Sequence, residues 1–103
     1  DQVIAFAGAP KKDVLLKPIS RQLEESIDAR ESFAAVRDDR RFIPIIQGEN
    51  DEYSSQAVSP IICEGDAIGA VIITTKEPKI RLTETDLKLT GSAAGFLGKQ
   101  MES

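Results

Sequence analysis

Groups that could perform catalysis or hold a metal are scarce in this chain of 103 residues. It has no histidine, which removes the usual general base near neutral pH and the imidazole ligand of metal and haem sites. A single cysteine, Cys63, cannot supply the several thiolates of a zinc or iron–sulfur site within one chain. The sequence therefore predicts a protein that is not an enzyme and that has no metal site and no cofactor.

The one thiol lies within the strongly apolar run Ser59–Ile73. This setting predicts that Cys63 is a buried structural thiol rather than a reactive or chromophore-bearing one, because reactivity requires a cationic and partly exposed environment. A single cysteine also excludes an intrachain disulfide and fits a reducing compartment. We therefore expect a cytoplasmic protein.

The charged residues form no recognisable acid–base pair or cation loop. Four carboxylates between Glu24 and Glu31 have the spacing of a solvated helix face, and Glu49–Glu52 lacks the alternating ligand spacing of a calcium site. A formal net charge of −4 argues against nucleic-acid binding, and the basic cluster Arg37–Arg41 contains two aspartates. No run approaches the roughly 18 apolar residues of a membrane span. We expect this segment to contact neither nucleic acid nor membrane.

The first half of the chain predicts a strand and a helix. A hydrophobic content of 41% over 103 residues is enough for one core, so we predict a single domain over residues 1–103. The nearly continuous apolar run Val3–Ala7 predicts a buried strand. Apolar residues at positions 19, 23 and 27, after Lys17-Pro18, predict an amphipathic helix of three to four turns.

The middle of the chain predicts the centre of a sheet. Ser54–Cys63 and Ala67–Thr75 flank the turn Glu64-Gly65-Asp66, a pattern typical of an antiparallel hairpin. Shorter strands are predicted over Phe33–Val36 and Arg41–Gln47, the latter at an edge or a bulge because it contains a proline. The element order β-α-β-β-β-β-α predicts an α+β fold in which helices flank an antiparallel sheet.

The last predicted helix has an unusually wide apolar face. Thr83–Asp86 has the pattern of a capping box. Three glycines interrupt the helix, and each costs about 1 kcal/mol relative to alanine. They are explained either by close packing of the helix on its own sheet or by the approach of a second helix across a homodimer interface, or by both. The residues predicted for such an interface are Leu87, Gly91, Ala94, Leu97 and Met101, with Leu89, Ala93 and Phe96 widening the apolar face.

Several segments of the chain carry a family resemblance. They are Asp1–Gly8, Lys11–Asp13, Lys17–Glu24, Ser59–Ile61, Gly65-Asp66, Ile68–Ile72, Ala93–Leu97 and Lys99–Glu102. In these segments the chain resembles the GAF domain, and in particular the C-terminal GAF domain of AbrB-like transcription regulators of spore-forming bacteria. The resemblance implies a GAF-like fold whose N-terminal helix and first strand are missing from the sequence, because Asp1 matches the turn after that strand.

The same resemblance implies a function and a binding site. It implies that the domain senses an unidentified small molecule and transmits the signal to a swapped-hairpin DNA-binding domain outside this sequence. The implied pocket lies on one face of the sheet, under the connection that follows the second strand. Its implied ligand-binding residues are Phe6, Gly8, Val14, Leu15, Ile19, Ser20, Ser59 and Pro60.

Two functions remain open on the sequence. One is a ligand-sensing and dimerisation module, and the other is a purely structural dimerisation module whose pocket is filled by side chains. An enzyme ranks last, since the GAF-like methionine sulfoxide reductases depend on several cysteines. An empty cavity with a few polar groups would favour sensing, and a solid core would favour the structural module.

Overall fold

Four strands and two helices make up the part of the chain that the computed structural model describes, which is residues 3–7, 19–46 and 53–102. The strands form one sheet in the order β1-β4-β3-β2. The predicted α+β class is confirmed. In chain order the elements are β1 (Val3–Ala7), α1 (Arg21–Asp28), β2 (Phe33–Val36), β3 (Ser55–Cys63), β4 (Asp66–Thr75) and α2 (Glu84–Gln100).

The predicted hairpin forms the centre of the sheet, with a tighter turn than expected. Cys63 pairs with Asp66, so that only Glu64 and Gly65 lie in the turn. Both have positive φ, 52° and 88°, as a two-residue turn of type I′ requires. The pairing shifts between Ile61 and Ile62, which inserts an extra residue on β4. Such a bulge bends the hairpin near its turn.

The prediction of an antiparallel sheet holds for β2, β3 and β4. It fails for β1, which pairs with β4 in parallel, from Val3 opposite Gly69 to Ala7 opposite Ile73. The sheet is therefore mixed. Periodicity indicates that a segment is a strand but does not give its partner or direction. The continuous apolar run of β1 is typical of strands in parallel pairing, which are covered on both faces.

The predicted strand Arg41–Gln47 is also absent over its described part, residues 41–46. The side-chain amide of Gln56 replaces a neighbouring strand: its Oε1 accepts from the Ile43 N–H at 2.9 Å and its Nε2 donates to the Ile43 carbonyl at 2.9 Å. The next carbonyl oxygens, of Pro44 and Ile45, accept from the side chain and the backbone of Ser20. The segment follows the sheet without a ladder of its own.

The first helix is shorter than the three to four turns predicted. It begins after Ser20, whose hydroxyl caps it by accepting from the Leu23 N–H at 3.0 Å. Ile19, predicted to lie on the helix, instead forms an isolated bridge with Ile46. The helix ends at Asp28 with Ala29 as its C-cap, and Arg30 follows in the left-handed conformation with φ 58°. The guanidinium of Arg30 donates to the Gly65 carbonyl in the hairpin turn at 2.6 Å.

Each face of the sheet has its own hydrophobic cluster. Leu23 and Ile27 of α1 pack with Val58 and Ile72 on one face. Ala94 of α2 packs with Ile61 and Val71 on the other. Successive residues of a strand point to opposite faces, so β3 and β4 serve both clusters. Neither described helix is long and apolar enough to cross a membrane.

The last helix lies against the sheet through small residues. The predicted capping box is confirmed, since the Thr83 N–H donates to the Asp86 carboxylate at 2.8 Å. Gly98 is buried, and a Cβ there would lie 2.1 Å from the carbonyl oxygen of Ile62. Packing on the chain's own sheet therefore explains this glycine. At Gly95 a Cβ would meet no atom within 4 Å.

These two glycines give a matched test of the packing. Gly98→Ala should lower the free energy of unfolding by about 2 kcal/mol, because the added methyl group overpacks a rigid backbone contact. Gly95→Ala should raise it by up to about 1 kcal/mol through helix propensity alone. Urea unfolding followed by circular dichroism measures both. A Gly98→Ala variant as stable as Gly95→Ala would contradict this docking of α2.

Candidate functional site

The residues predicted to bind a ligand divide between the two faces of the sheet. Phe6, Ile19 and Ser20 lie on the side of α1, where Phe6 and Ile19 pack against the larger cluster. Pro60 is half-buried and, by strand alternation, shares this face. Ser59 points to the opposite face, so the structure does not bring it to the other four. The remaining predicted residues, Gly8, Val14 and Leu15, lie outside the described residues.

Both predicted serines are engaged in hydrogen bonds within the chain. Ser20 is buried, and its hydroxyl accepts from the Leu23 N–H and donates to the Pro44 carbonyl. Ser59 is also buried, and its hydroxyl lies 2.8 Å from that of Thr90 on α2. The Thr90 hydroxyl lies 2.9 Å from the Leu87 carbonyl as well. These hydroxyls satisfy each other inside the core, as buried polar groups must.

Phe6 lies on the edge strand β1, on the face of the sheet that α1 covers, which we call the α1 face. Its ring centre lies 6.3 Å from that of Tyr53, with the two planes tilted by 45°. Leu23, Ile27, Ile45 and other apolar side chains fill the space between α1 and the sheet. The described part of this face is thus an apolar surface with few polar groups.

The residues predicted for a dimer interface also divide, between the inner and the outer side of α2. Ala94 is buried against the sheet and Leu97 packs beside it. Leu87 is half-buried, and Gly91 and Met101 are exposed. The large apolar side chains that α2 leaves to solvent are Leu89, 59% exposed, and Phe96, 63% exposed. We call Leu89, Ala93 and Phe96 the outer face of α2.

Cys63 is half-buried at the end of β3, which corrects the expectation of a core thiol. The pKa of its thiol is raised, first by partial burial and then by the carboxylates of Glu64, Glu102 and Asp66. Both effects disfavour the thiolate, the reactive form. The raised pKa therefore lowers the fraction of reactive thiolate near neutral pH, although the cysteine is not in the core.

A surface groove at the end of the sheet away from the hairpin turn was not predicted. Three cationic side chains line it: Arg37 after β2, Lys76 after β4, and Arg81 before α2. These residues are far apart in sequence, so no local motif announces them. The sequence signals that exist are the ends of two predicted strands, at Val36 and at Thr75. Both pair with Ser55 of β3, which brings them to one end of the sheet.

Comparison with known proteins gives a family and a relative. The family described as "Stage V sporulation protein T C-terminal, transcription factor" matches residues 1–102. The curated protein "Stage V sporulation protein T" of Bacillus subtilis (strain 168) is 39% identical over 102 residues, which are 99% of this chain and 55% of that protein. The chain thus spans about half the length of the relative that it matches.

The chemistry of Cys63 can be tested by alkylation. Since its pKa is raised, the thiolate fraction at pH 8 should be below that of an unperturbed cysteine, and iodoacetamide should react more slowly than with a cysteine in a short peptide. Glu64→Gln removes one carboxylate, lowers the pKa and should speed the reaction. Mass spectrometry measures the rates. Equal rates for Glu64→Gln and for the distant control Glu84→Gln would contradict the electrostatic part of this account.

Proposed function

Because the chain belongs to the family of stage V sporulation protein T C-terminal transcription-factor domains, we propose that it is the regulatory domain of a sporulation transcription regulator. In this role it holds two copies of the regulator together and senses a small molecule. The net charge of −4 argues that DNA contact is made by another domain of the full-length regulator. A cytoplasmic location follows from the same role.

The observation that carries the assembly role is the outer face of α2. The sheet already covers the inner side of α2, where Thr90, Ala94 and Gly98 are buried. Two large apolar side chains, Leu89 and Phe96, nevertheless remain exposed on the outer face. A twofold homodimer is the commonest way in which a soluble protein covers such a patch. Of the interface residues expected from the sequence, Gly91 and Met101 are exposed. A Cβ at Gly91 would lie 3.8 Å from the Ser59 hydroxyl, so Gly91 faces the sheet rather than the outer face.

The sensing role is supported by the resemblance to GAF domains and by the apolar character of the α1 face. Phe6, Ile19 and Pro60 offer apolar surface there, and Gly8, Val14 and Leu15 would complete the pocket. Few hydrogen-bonding groups accompany them, which suits a small, weakly polar metabolite better than a nucleotide. We assign the GAF-type ligand site to this face.

One observation favours a second function, a purely structural dimerisation domain. Leu23, Ile27, Ile45, Val58 and Ile72 are all at most 1% exposed and form one continuous cluster between α1 and the sheet. Side chains packed in this way leave little room for a ligand beneath α1. The structural candidate predicts the same homodimer without any response to metabolites.

Assembly is tested by a charge on the outer face of α2. Phe96→Asp should weaken the homodimer at least tenfold, because an aspartate at an apolar contact must be desolvated without a partner. Light scattering over a concentration series measures the dissociation constant. Phe96 is exposed, so its replacement should leave the fold intact, and circular dichroism checks this.

Lys88→Gln is the matched control for that variant. It makes the same change of net charge at an exposed position on another side of α2, and it should leave the dimer unchanged. A wild-type chain that stays monomeric at high micromolar concentration would overturn the assembly role. So would a dimer that Phe96→Asp and Lys88→Gln leave equally intact.

Sensing is tested by amide chemical shifts during a screen of small, weakly polar metabolites. We expect at least one compound to shift the amides of Phe6, Ile19 and Ser20 in a saturable manner. No response on the α1 face to any compound would favour the structural dimerisation domain. Shifts confined to the last helix would reject the GAF-type site.

A further inference from the structure

The groove at the end of the sheet away from the hairpin turn has a volume of about 650 Å³. We propose that it binds a small organic anion, a carboxylate with a short hydrocarbon body. This is a second site, distinct from the α1 face, and it stands whether or not that face takes a ligand. Its volume falls within the range of small-molecule sites in proteins, about 300–1,000 Å³.

The positive charge of the groove favours an anion. Among the described residues, the charged side chains that line the groove are the three cations Arg37, Lys76 and Arg81 and one carboxylate, Asp38. This local excess of positive charge occurs in a chain whose formal net charge is −4. Lys76 and Arg81 are like charges on one concave surface, and an anion between them relieves their repulsion. The groove is therefore electrostatically suited to a negative ligand.

Two of the cations are held in place by Tyr53, which is buried. The guanidinium of Arg37 donates a hydrogen bond to the Tyr53 carbonyl. The ammonium of Lys76 lies 5.6 Å from the centre of the Tyr53 ring, within the range of a cation–π interaction. An ammonium that already rests against an aromatic ring loses less freedom when it pairs with a carboxylate.

The wall of the groove is a connection held by hydrogen bonds rather than a loose loop. The Ser54 hydroxyl lies 3.2 Å from the Thr75 carbonyl and 3.0 Å from that of Glu77. The Ile80 N–H donates to the Glu77 carbonyl at 3.1 Å, and the Leu82 N–H donates to the Ser55 hydroxyl at 2.9 Å. Lys76 and Arg81 lie on this stretch, so the cations are presented by a preformed surface.

The apolar lining sets the class of anion. Val36 and Pro78 line the groove together with Ile80, which is 51% exposed although it is a large aliphatic residue. A bare inorganic anion would leave these surfaces in water, whereas a short hydrocarbon chain would cover them. The planar fork of an arginine matches a carboxylate with two parallel hydrogen bonds. A carboxylate attached to a short aliphatic body uses both features of the groove.

The test is a titration of the chain with hexanoate, followed by amide chemical shifts. We expect saturable shifts of Val36, Arg37, Ser54 and Ile80. Arg81→Gln and Lys76→Gln should each raise the dissociation constant about tenfold, as expected for the loss of a charge-assisted contact. Both residues are exposed, so these variants should retain the wild-type fold.

Three controls make the proposal refutable. Lys79→Gln removes an equal charge from the same connection at an exposed residue that does not line the groove, and it should leave binding unchanged. Hexanol has the hydrocarbon chain without the charge, and acetate has the charge with only a methyl group. Each should bind at least tenfold more weakly than hexanoate. The absence of saturable shifts, equal losses in Lys79→Gln and Arg81→Gln, or equal binding of hexanol would each overturn the proposal.

The result of the hexanoate titration can be distinguished from the results of the assembly and sensing experiments. Shifts on Val36, Arg37, Ser54 and Ile80 report this groove, whereas shifts on Phe6, Ile19 and Ser20 report the α1 face. Light scattering reports the dimer without hexanoate. If the groove does not bind hexanoate, the proposed assembly and sensing roles are unaffected. If the assembly or the sensing experiment fails, the proposed binding of an anion at the groove is likewise unaffected.

Discussion

The rest of the structure depends on the burial of the β3–β4 hairpin on both of its faces. Five consecutive residues of β3, Ser55–Ser59, are at most 1% exposed, so neither face of that strand meets water. Antiparallel sheets commonly pack one face on the core and leave the other to solvent. This constraint requires a cover on each side, and α1 with its following segments and α2 supply the two covers. The two hydrophobic clusters are the two faces of one pair of strands.

Burial on both faces places polar side chains in the core, and three of those on β3 attach a neighbouring element. Gln56 holds the segment around Ile43 through two hydrogen bonds. Ser59 meets Thr90 of α2, and Ser55 accepts from the Leu82 N–H at the start of the same cover. A buried hydroxyl or amide without a partner costs about 1–3 kcal/mol. These groups therefore fix where the covers sit, which apolar contacts alone do not.

Much of this fold follows from local sequence patterns. The errors of the sequence-based prediction share one physical cause. The hairpin, β1, β2 and the capped last helix were predictable because periodicity and turn chemistry lie within a few neighbouring residues. The parallel pairing of β1 and the loss of a strand at Arg41–Gln47 were not, because both depend on partners distant in sequence. The pattern left open whether Ala94 and Leu97 pack on the sheet or at an interface, and the structure packs both against the cluster on the sheet. The groove cations were missed because only the sheet brings Arg37 and Lys76 together.

The groove and the outer face of α2 are linked by a short piece of chain. Arg81 lines the groove, Leu82 is bound to Ser55, and Thr83 caps α2. The hydrogen bond between Leu82 and Ser55 joins the groove wall to β3, the buried strand on which α2 also rests through Ser59 and Thr90. The same buried strand therefore fixes the position of the groove wall and of the helix that carries Leu89 and Phe96.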